Sequence, residues 1–509
     1  MSHTSNPSRR RSTSIQFVGA LTLMGLSIVQ GVILIPLYLS HLGKEVYGAW
    51  VATASTVTLL GMADLGVTAI VSQRAGAYCG AEDFNSLGSL IACLFVFISG
   101  VSVIILVAGL WVAPWLPEWV GLSGAPAFEL ANALRVALFD VVLMLFVFIS
   151  GGVLFGLQRP GAHMAGMILG YVLGLIITVY LLLSGRGVVA LAIGLITRSM
   201  TALPVNLCAL WLSLRHKLRR QMLRFDSAVL LDLLRAALWL GPAKTTETFL
   251  PQVNNIITVK FLGPVAVTIL AVTRKAADIV TMVCGRFSAS FLSGLAHLYG
   301  EGNEQRYMDV VKPLFRVTIY MAVLGMSAVL LFNGNFIRLW VGKDLYGGWT
   351  LTLLICIYGV VKVPRAALYN VIFSRNGIRL ASAASIAESI IQVAAGIFLI
   401  RVWGLPGLVL AAILAVVAAV LIQTIGLLSM LKVRYHFSFP PLLKVLAVAL
   451  VPSLVAVLVK NAWHLESWNR FLACVAGYLC TAFAMVVSCE PLLFDYCRRM
   501  LRRRKAITA

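Results

Sequence analysis

The chain has 509 residues, of which 60% are apolar and only 12% charged, with a mean hydropathy of +0.94. Soluble chains carry about twice that charged fraction, ~25%, so this composition excludes a water-soluble enzyme or binding domain over most of the length. The net charge of +22 would suit nucleic acid, but the basic residues cluster in short connections between apolar runs, which is the pattern of membrane topology.

Apolar runs long enough to cross a ~30 Å hydrocarbon core predict an all-α membrane protein of about fourteen transmembrane helices. They fall near 15–39, 46–72, 87–113, 128–157, 163–184, 187–214, 230–260, 264–297, 313–334, 348–374, 379–401, 405–431, 441–460 and 468–489. The first follows Arg9, Arg10 and Arg11 and meets charge at Lys44 and Glu45. Its apolar run is too long for a cleaved signal, and no small-residue cleavage site precedes those charges. Alternate connections collect Arg74, Arg159, the stretch 215–224, Arg306, Lys312, Arg375, Arg379, Lys432, Arg434 and Lys444. The others hold only Lys44, Arg186, Lys260, Arg338, Lys343, Arg401, Lys460 and Arg470. That bias puts both termini in the cytoplasm. The basic tail from Arg498 to Lys505 then reads as a topology anchor that touches anionic membrane lipid, with no nucleic acid as partner.

Nine cysteines are scattered with no CxxC pair, and the seven histidines lie in the terminal segment, in loops or at helix ends. Neither pattern offers a metal site or cofactor. No stretch is left for a soluble catalytic domain, so a transporter is expected and an enzyme is not.

An internal repeat organises the chain. Leu42-Gly43 matches Leu262-Gly263, and Gly80 matches Gly300, both at an offset of 220. Trp119-Val120-Gly121 recurs as Trp340-Val341-Gly342 (offset 221), Arg159-Pro160-Gly161 aligns with Arg375-Asn376-Gly377 (216), and Gly187 with Gly404 (217). A near-constant offset over six helices, an even number, implies two parallel six-helix lobes related by an axis along the membrane normal. The expected division is 1–220 for the first lobe, 221–435 for the second, and 436–509 for two extra helices and the basic tail. Gly166, Gly170 and Gly174 form small-xxx-small steps suited to close helix contact.

Ionisable groups inside a bilayer cost at least ~2.5–3.5 kcal/mol each on insertion scales, so they should face a cavity or a partner. Cations in or near the predicted spans are Arg135, Arg198, Lys244, Arg274, Lys275, Arg286, Lys362 and Arg365, against the anions Asp64, Asp140, Glu247, Asp278 and Glu388. Arg135 and Arg286 lie toward helix ends and can snorkel to headgroups. Lys244 with Glu247 and Arg274 with Asp278 have the i,i+3 and i,i+4 spacing of self-neutralising pairs, so either pairing or ligand contact accounts for them. Arg198, Lys362 and Arg365 have no opposite charge one turn away on their own helix. The excess predicts a cationic cavity formed by Arg198, Lys244, Arg274, Lys275, Lys362 and Arg365, suited to phosphate. A polyprenyl pyrophosphate bearing sugars fits such a cavity, with Gln30, Thr53, Thr56, Thr245, Asn254 and Asn255 available to sugar hydroxyls. Asp64, Glu247 and Asp278 are candidates for coupling to a proton or sodium gradient, or are charge partners only.

The stretch IPLYLSHLGKEVYGAW (35–50) followed by LGMADLGVTAIVSQRAG (60–76) resembles the start of Wzx-type bacterial polysaccharide flippases, of the multidrug/oligosaccharidyl-lipid/polysaccharide exporter superfamily. The repeat extends the likeness over about 15–435. The resemblance implies a two-lobe inner-membrane transporter that moves undecaprenyl-pyrophosphate-linked oligosaccharide, an O-antigen or exopolysaccharide repeat unit, from the cytoplasmic to the periplasmic leaflet by alternating access. A polysaccharide polymerase and a chain-length regulator would be its partners. The last two helices resemble the fourteen-helix members, lipid II flippases among them. Two other readings share the composition. A cation-coupled multidrug exporter would favour an acidic or aromatic cavity. A membrane-embedded polymerase or ligase would need large outer loops with acid–base groups, which this chain lacks.

Overall fold

The computed structural model describes residues 7–62, 67–216, 222–302, 304–430, 442–463 and 466–489. Among these the regular structure is entirely helical. The chain divides into two compact units, Met1–Thr268 and Ile269–Ala509.

The first unit contains α1 (Pro7–Gly61), α2 (Val67–Gly80), α3 (Phe84–Val112), the short α4 (Leu116–Trp119), α5 (Ala125–Gly156), α6 (Pro160–Leu183), α7 (Val189–Leu214) and α8 (Ser227–Leu262). Helix α9 (Pro264–Ala289) begins in it and continues into the second unit. There follow α10 (Leu292–Gly300), α11 (Glu304–Trp340), α12 (Gly348–Ser374), α13 (Ile378–Met430), α14 (Leu442–Trp463) and α15 (Trp468–Cys489). By contacts α8 belongs with the first unit, where it packs on α1, α2 and α3.

Two pairs of predicted helices each run into one continuous element. Helix α1 is interrupted only at Gly43, with φ 77° and ψ 167°, and α13 only at Gly404, with φ 61° and ψ −139°. At the second break the chain doubles back. A Cβ added at Gly407 would sit 2.6 Å from the carbonyl carbon of Leu399, although eight residues of straight helix span about 12 Å. In contrast, the predicted helix 264–297 is divided into α9 and α10 by a turn at Ser290 and Phe291.

The repeat seen in the sequence recurs in backbone conformation. Gly43 and Gly263 share φ values of 77° and 82°, Gly121 and Gly342 of 90° and 95°, and Gly187 and Gly404 of 55° and 61°. The two non-glycine residues Gln158 and Asn376 adopt φ 58° and 59° in the equivalent turn. Positive φ is uncommon outside glycine. The recurrence of such residues in order is therefore a structural copy of the six-helix pattern.

Among the described residues ten helical stretches are long and apolar enough to cross a membrane. The apolar side chains they leave exposed fit that reading. On α3, Phe95, Val103, Ile104, Val107 and Trp111 all point outward, while Leu87, Leu90, Leu94, Ile98 and Ile105 of the same helix are buried. Such a surface in water would be an association hazard, whereas lipid solvates it. The chain is a multi-pass membrane protein.

Helices α14 and α15 dock on α11 of the second unit. The seam is aromatic: Phe332 meets Phe471 and Tyr478 edge-on at centroid distances of 6.1 and 6.0 Å. The Tyr478 hydroxyl donates to the Leu324 carbonyl at 2.9 Å, which satisfies its polar tip within an otherwise apolar contact.

Candidate functional site

The first unit contains a half-open cavity of about 320 Å³, lined on one side by α6 and α7. A Cβ at Gly170 would lie 2.5 Å from the Arg198 carbonyl oxygen, one at Gly174 2.5 Å from that of Gly194, and one at Gly166 3.1 Å from Val205 Cβ. Four-residue steps down α6 thus meet descending positions on α7, and the two antiparallel backbones approach as closely as small residues allow. That approach lays the Arg198 guanidinium over the ring of Tyr171, 4.6 Å from its centroid, a cation–π contact.

The remaining walls come from α1 and α8. The N-terminal limb of α1 supplies Gln30 and Tyr38, and the limb after Gly43 supplies Tyr47, Trp50, Ser55 and Thr58. Tyr38 and Tyr47 face each other across the Gly43 break with ring centroids 5.9 Å apart and planes 30° from parallel. Gln30 stands close enough to the Tyr38 side chain to interact with it. From α8, Gln252 and Asn255 close the wall, and Asn255 donates to the Ser55 hydroxyl at 2.9 Å.

Among the described residues Arg198 is the one ionisable cation lining the cavity, and none of them places a carboxylate there. Behind it, Asp140 of α5 acts electrostatically on Arg198 and accepts a hydrogen bond from the Ser199 hydroxyl. Two buried polar atoms of lining residues lack a hydrogen-bond partner, Arg198 Nε and Asn255 Oδ1.

The other sequence-predicted residues are distributed as follows. Lys244 and Glu247 fall on α8, but their side chains lie outside the described residues, as do all of Asp64 and the side chain of Thr245. In the second unit Arg274 pairs with Asp278 at 3.2 Å, the Asp278 side chain being 54% exposed. Lys275 is half-buried beside that pair and interacts electrostatically with both members. Lys362 sits over the ring of Tyr358 at 5.3 Å. Arg365 is buried on α12, bound to Glu388 of α13 at 2.6 Å and donating to the Ser385 hydroxyl at 3.1 Å. Of the polar candidates, Gln30 and Asn255 line the cavity. Thr53 turns back to the Ala49 carbonyl at 2.8 Å, and Thr56 faces a separate, almost wholly apolar hollow between α1, α3 and α5.

Sequence reasoning missed the aromatic lining. Tyr38, Tyr47 and Trp50 all stand in the 35–50 motif, so their clustering around Gly43 was a usable signal. Tyr171 carried none, because only the α6–α7 contact brings it to Arg198.

The MatE family model matches residues 21–180, which include α2 to α5 and the greater part of α1 and α6. No curated protein matches the chain by sequence. Among solved structures, "Lipid II flippase MurJ, inward closed conformation" superposes with a TM-score of 0.69 at 12% identity, covering 94% of this chain and 99% of that one. An inward-facing multidrug resistance MATE family transporter of the MOP superfamily gives 0.65 at 17% identity, covering 80% and 94%. A MATE in the bent conformation gives 0.53 at 17%, covering 81% and 97%. The fold is therefore that of MATE transporters and MurJ.

Proposed function

We propose that this protein is a flippase that translocates undecaprenyl-pyrophosphate-linked oligosaccharide from the cytoplasmic to the periplasmic leaflet of a bacterial inner membrane by alternating access. The observation that carries the reading is the lining of the first-unit cavity among the described residues: amides, hydroxyls and aromatic rings around a single arginine, with no carboxylate. Such a wall suits a polyhydroxylated, anionic ligand. An organic cation would meet Arg198 at unfavourable charge, which weighs against a multidrug exporter of the same fold despite the aromatic lining. The MurJ likeness supports the reading as far as fold. In this reading Arg198, Lys244, Arg274, Lys275, Lys362 and Arg365 supply positive potential along the path. Asp64, Glu247 and Asp278 are candidates to couple transport to a proton or sodium gradient. The excess of basic residues in alternate connections puts both termini in the cytoplasm. A polysaccharide polymerase and a chain-length regulator would act on the product.

The test is genetic and chemical. Deletion of the gene should abolish the surface glycan and leave its lipid-linked precursor on the cytoplasmic side. Arg198→Gln, at wild-type abundance, should reduce surface glycan at least fivefold. Normal surface glycan in the deletion strain would refute the proposal.

A further inference from the structure

The internal repeat sets two arginines in equivalent turns, Arg159 before α6 and Arg375 before α13, and their surroundings differ. The Arg375 guanidinium meets the rings of Tyr299 and Tyr307, 4.9 and 5.3 Å from their centroids. It bonds the Glu304 carboxylate at 2.5 Å and donates to the Met430 carbonyl at 3.3 Å, with its side chain 6% exposed. Its charge is answered within the second unit. Arg159 is exposed, and among the described residues its guanidinium bonds only the Ser213 hydroxyl, at 3.1 Å. Ser213 stands in the last turn of α7 between Trp211 and Arg215. Arg215 is exposed as well, stacked on Trp211 of its own helix at 5.2 Å. From Trp211 to Arg215 the chain rises only about 6 Å, so two guanidiniums without a described carboxylate share one end of the bundle. The start of α1 reaches the same place: a Cβ on Gly161 would lie 3.6 Å from Ile15 Cγ2, and Arg11 is one turn before Ile15 on α1.

The helix ends leave this charge uncompensated. Helix α6 begins and antiparallel α7 ends here, so their terminal charges of about +0.5 and −0.5 offset each other. The carboxylates of the neighbouring turns are engaged elsewhere or out of contact. Asp83 and Asp226 cap α3 and α8, Asp232 pairs with Arg74 at 2.7 Å, and Glu82 meets neither arginine. The adjoining stretches 1–6 and 217–221 contain no acidic residue, and the second adds Lys217, Arg219 and Arg220. Beside the cations, Trp211, Leu212 and Ile15 are 62%, 48% and 40% exposed. A basic rim set against an exposed apolar band matches a lipid, whose phosphate meets guanidinium while its chains lie along the helices. A soluble anion would use the charges alone.

We infer that the rim made by the start of α6, the end of α7 and the start of α1 binds the phosphate headgroup of an anionic phospholipid through Arg159 and Arg215. The topology proposed above puts that lipid in the cytoplasmic leaflet. In the second unit Glu304 takes the place of the phosphate. Such a lipid is held independently of what the transporter carries.

Native mass spectrometry tests this on the full-length protein, titrated in detergent with phosphatidylglycerol or with phosphatidylethanolamine of the same acyl chains. At equal concentration the wild type should retain the anionic lipid at least fivefold more than the zwitterionic one. Each cation near an anionic surface strengthens binding about fivefold, so Arg159→Gln/Arg215→Gln should lower phosphatidylglycerol retention fivefold or more. Arg186→Gln, at the exposed connection on the far end of α6 and α7, should leave it unchanged. Both replaced side chains are exposed, and a melting temperature within about 3 °C of wild type verifies the fold. If the double variant fails that criterion, Arg215→Gln decides, with an expected loss of at least twofold, because that side chain stacks only on its own helix. Equal retention of the two lipids by the wild type, or unchanged retention in the folded variant, would overturn the site. Displacement by a tenfold excess of inorganic phosphate would make it a site for soluble anions, and displacement by equimolar undecaprenyl pyrophosphate a site for the carrier lipid. Either result overturns the resident phospholipid.

Discussion

Replacing Arg365 by Met is the perturbation whose outcome the structure fixes most tightly. The Arg365 and Glu388 side chains are 4% and 5% exposed, and their charged atoms meet at 2.6 Å. Removing the guanidinium takes from the buried Glu388 carboxylate the arginine that faces it. Breaking one side of such a pair costs ~3–5 kcal/mol, whereas replacing both partners by apolar groups is neutral or gains ~1–4 kcal/mol. At ~2–4 °C per kcal/mol for a folding unit of 150–250 residues, the single variant should melt about 6–20 °C below wild type. Glu388→Leu should fall by a similar amount, and the double variant Arg365→Met/Glu388→Leu should return to wild type or above. Fluorescence-detected size exclusion after heating, on protein in detergent, reads all four members of the cycle. A wild-type melting temperature for Arg365→Met, or a double variant as unstable as the singles, would refute the buried-pair reasoning. The same double variant bears on function: surface glycan lost from a fully stable protein would give Arg365 a ligand role beyond its ion pair.

Gly43→Ala should destabilise by ~1–3 kcal/mol, since φ 77° and ψ 167° suit glycine alone and the new Cβ meets nothing within 4 Å. Gly25→Ala, also in open space but helical, should gain ~0.5–1 kcal/mol, and equal melting temperatures for the two would contradict the backbone argument. Gly170→Ala forces its Cβ to 2.5 Å from the Arg198 carbonyl and should cost ~1–3 kcal/mol as α6 and α7 are pushed apart, read as a lower melting temperature. Asp83 caps α3, accepting from the Ser86 hydroxyl and then from the Ser86 backbone amide, and those bonds hold its carboxyl below the ordinary aspartate range. A depressed carboxyl stabilises above its unfolded-state value and loses that contribution as pH falls through the folded one. Amide exchange in the first turn of α3 should therefore quicken as the medium is acidified below the usual aspartate pKa of about 3.9, once intrinsic exchange is corrected for, and Asp83→Ala should abolish that change.

Different parts of this protein are written at different ranges. Membrane residence, the order of helices and the six-helix repeat were legible because each depends on local rules. An apolar run of sufficient length must be a helix in lipid, and a chain that turns at positive φ needs glycine at the same step each time, as at Gly43 and Gly263. The Arg274–Asp278 pair was legible for the same reason: residues four apart on a helix are neighbours whatever the rest of the chain does. Glu388 stood out as an intramembrane anion, yet its pairing with Arg365 of another helix had no local mark. That partnership is decided by how far α12 and α13 rotate and slide against each other, which side-chain packing over their whole length determines. Arg198 likewise reads as a cation without a neighbour in sequence. Only the glycine contact between α6 and α7 lays it on Tyr171, and only the juxtaposition of α1, α6, α7 and α8 surrounds it with aromatic faces. Local periodicity fixes what a helix is and roughly where it ends. Its azimuth and depth against its neighbours, and hence which polar atoms meet in one cavity, are set by tertiary packing.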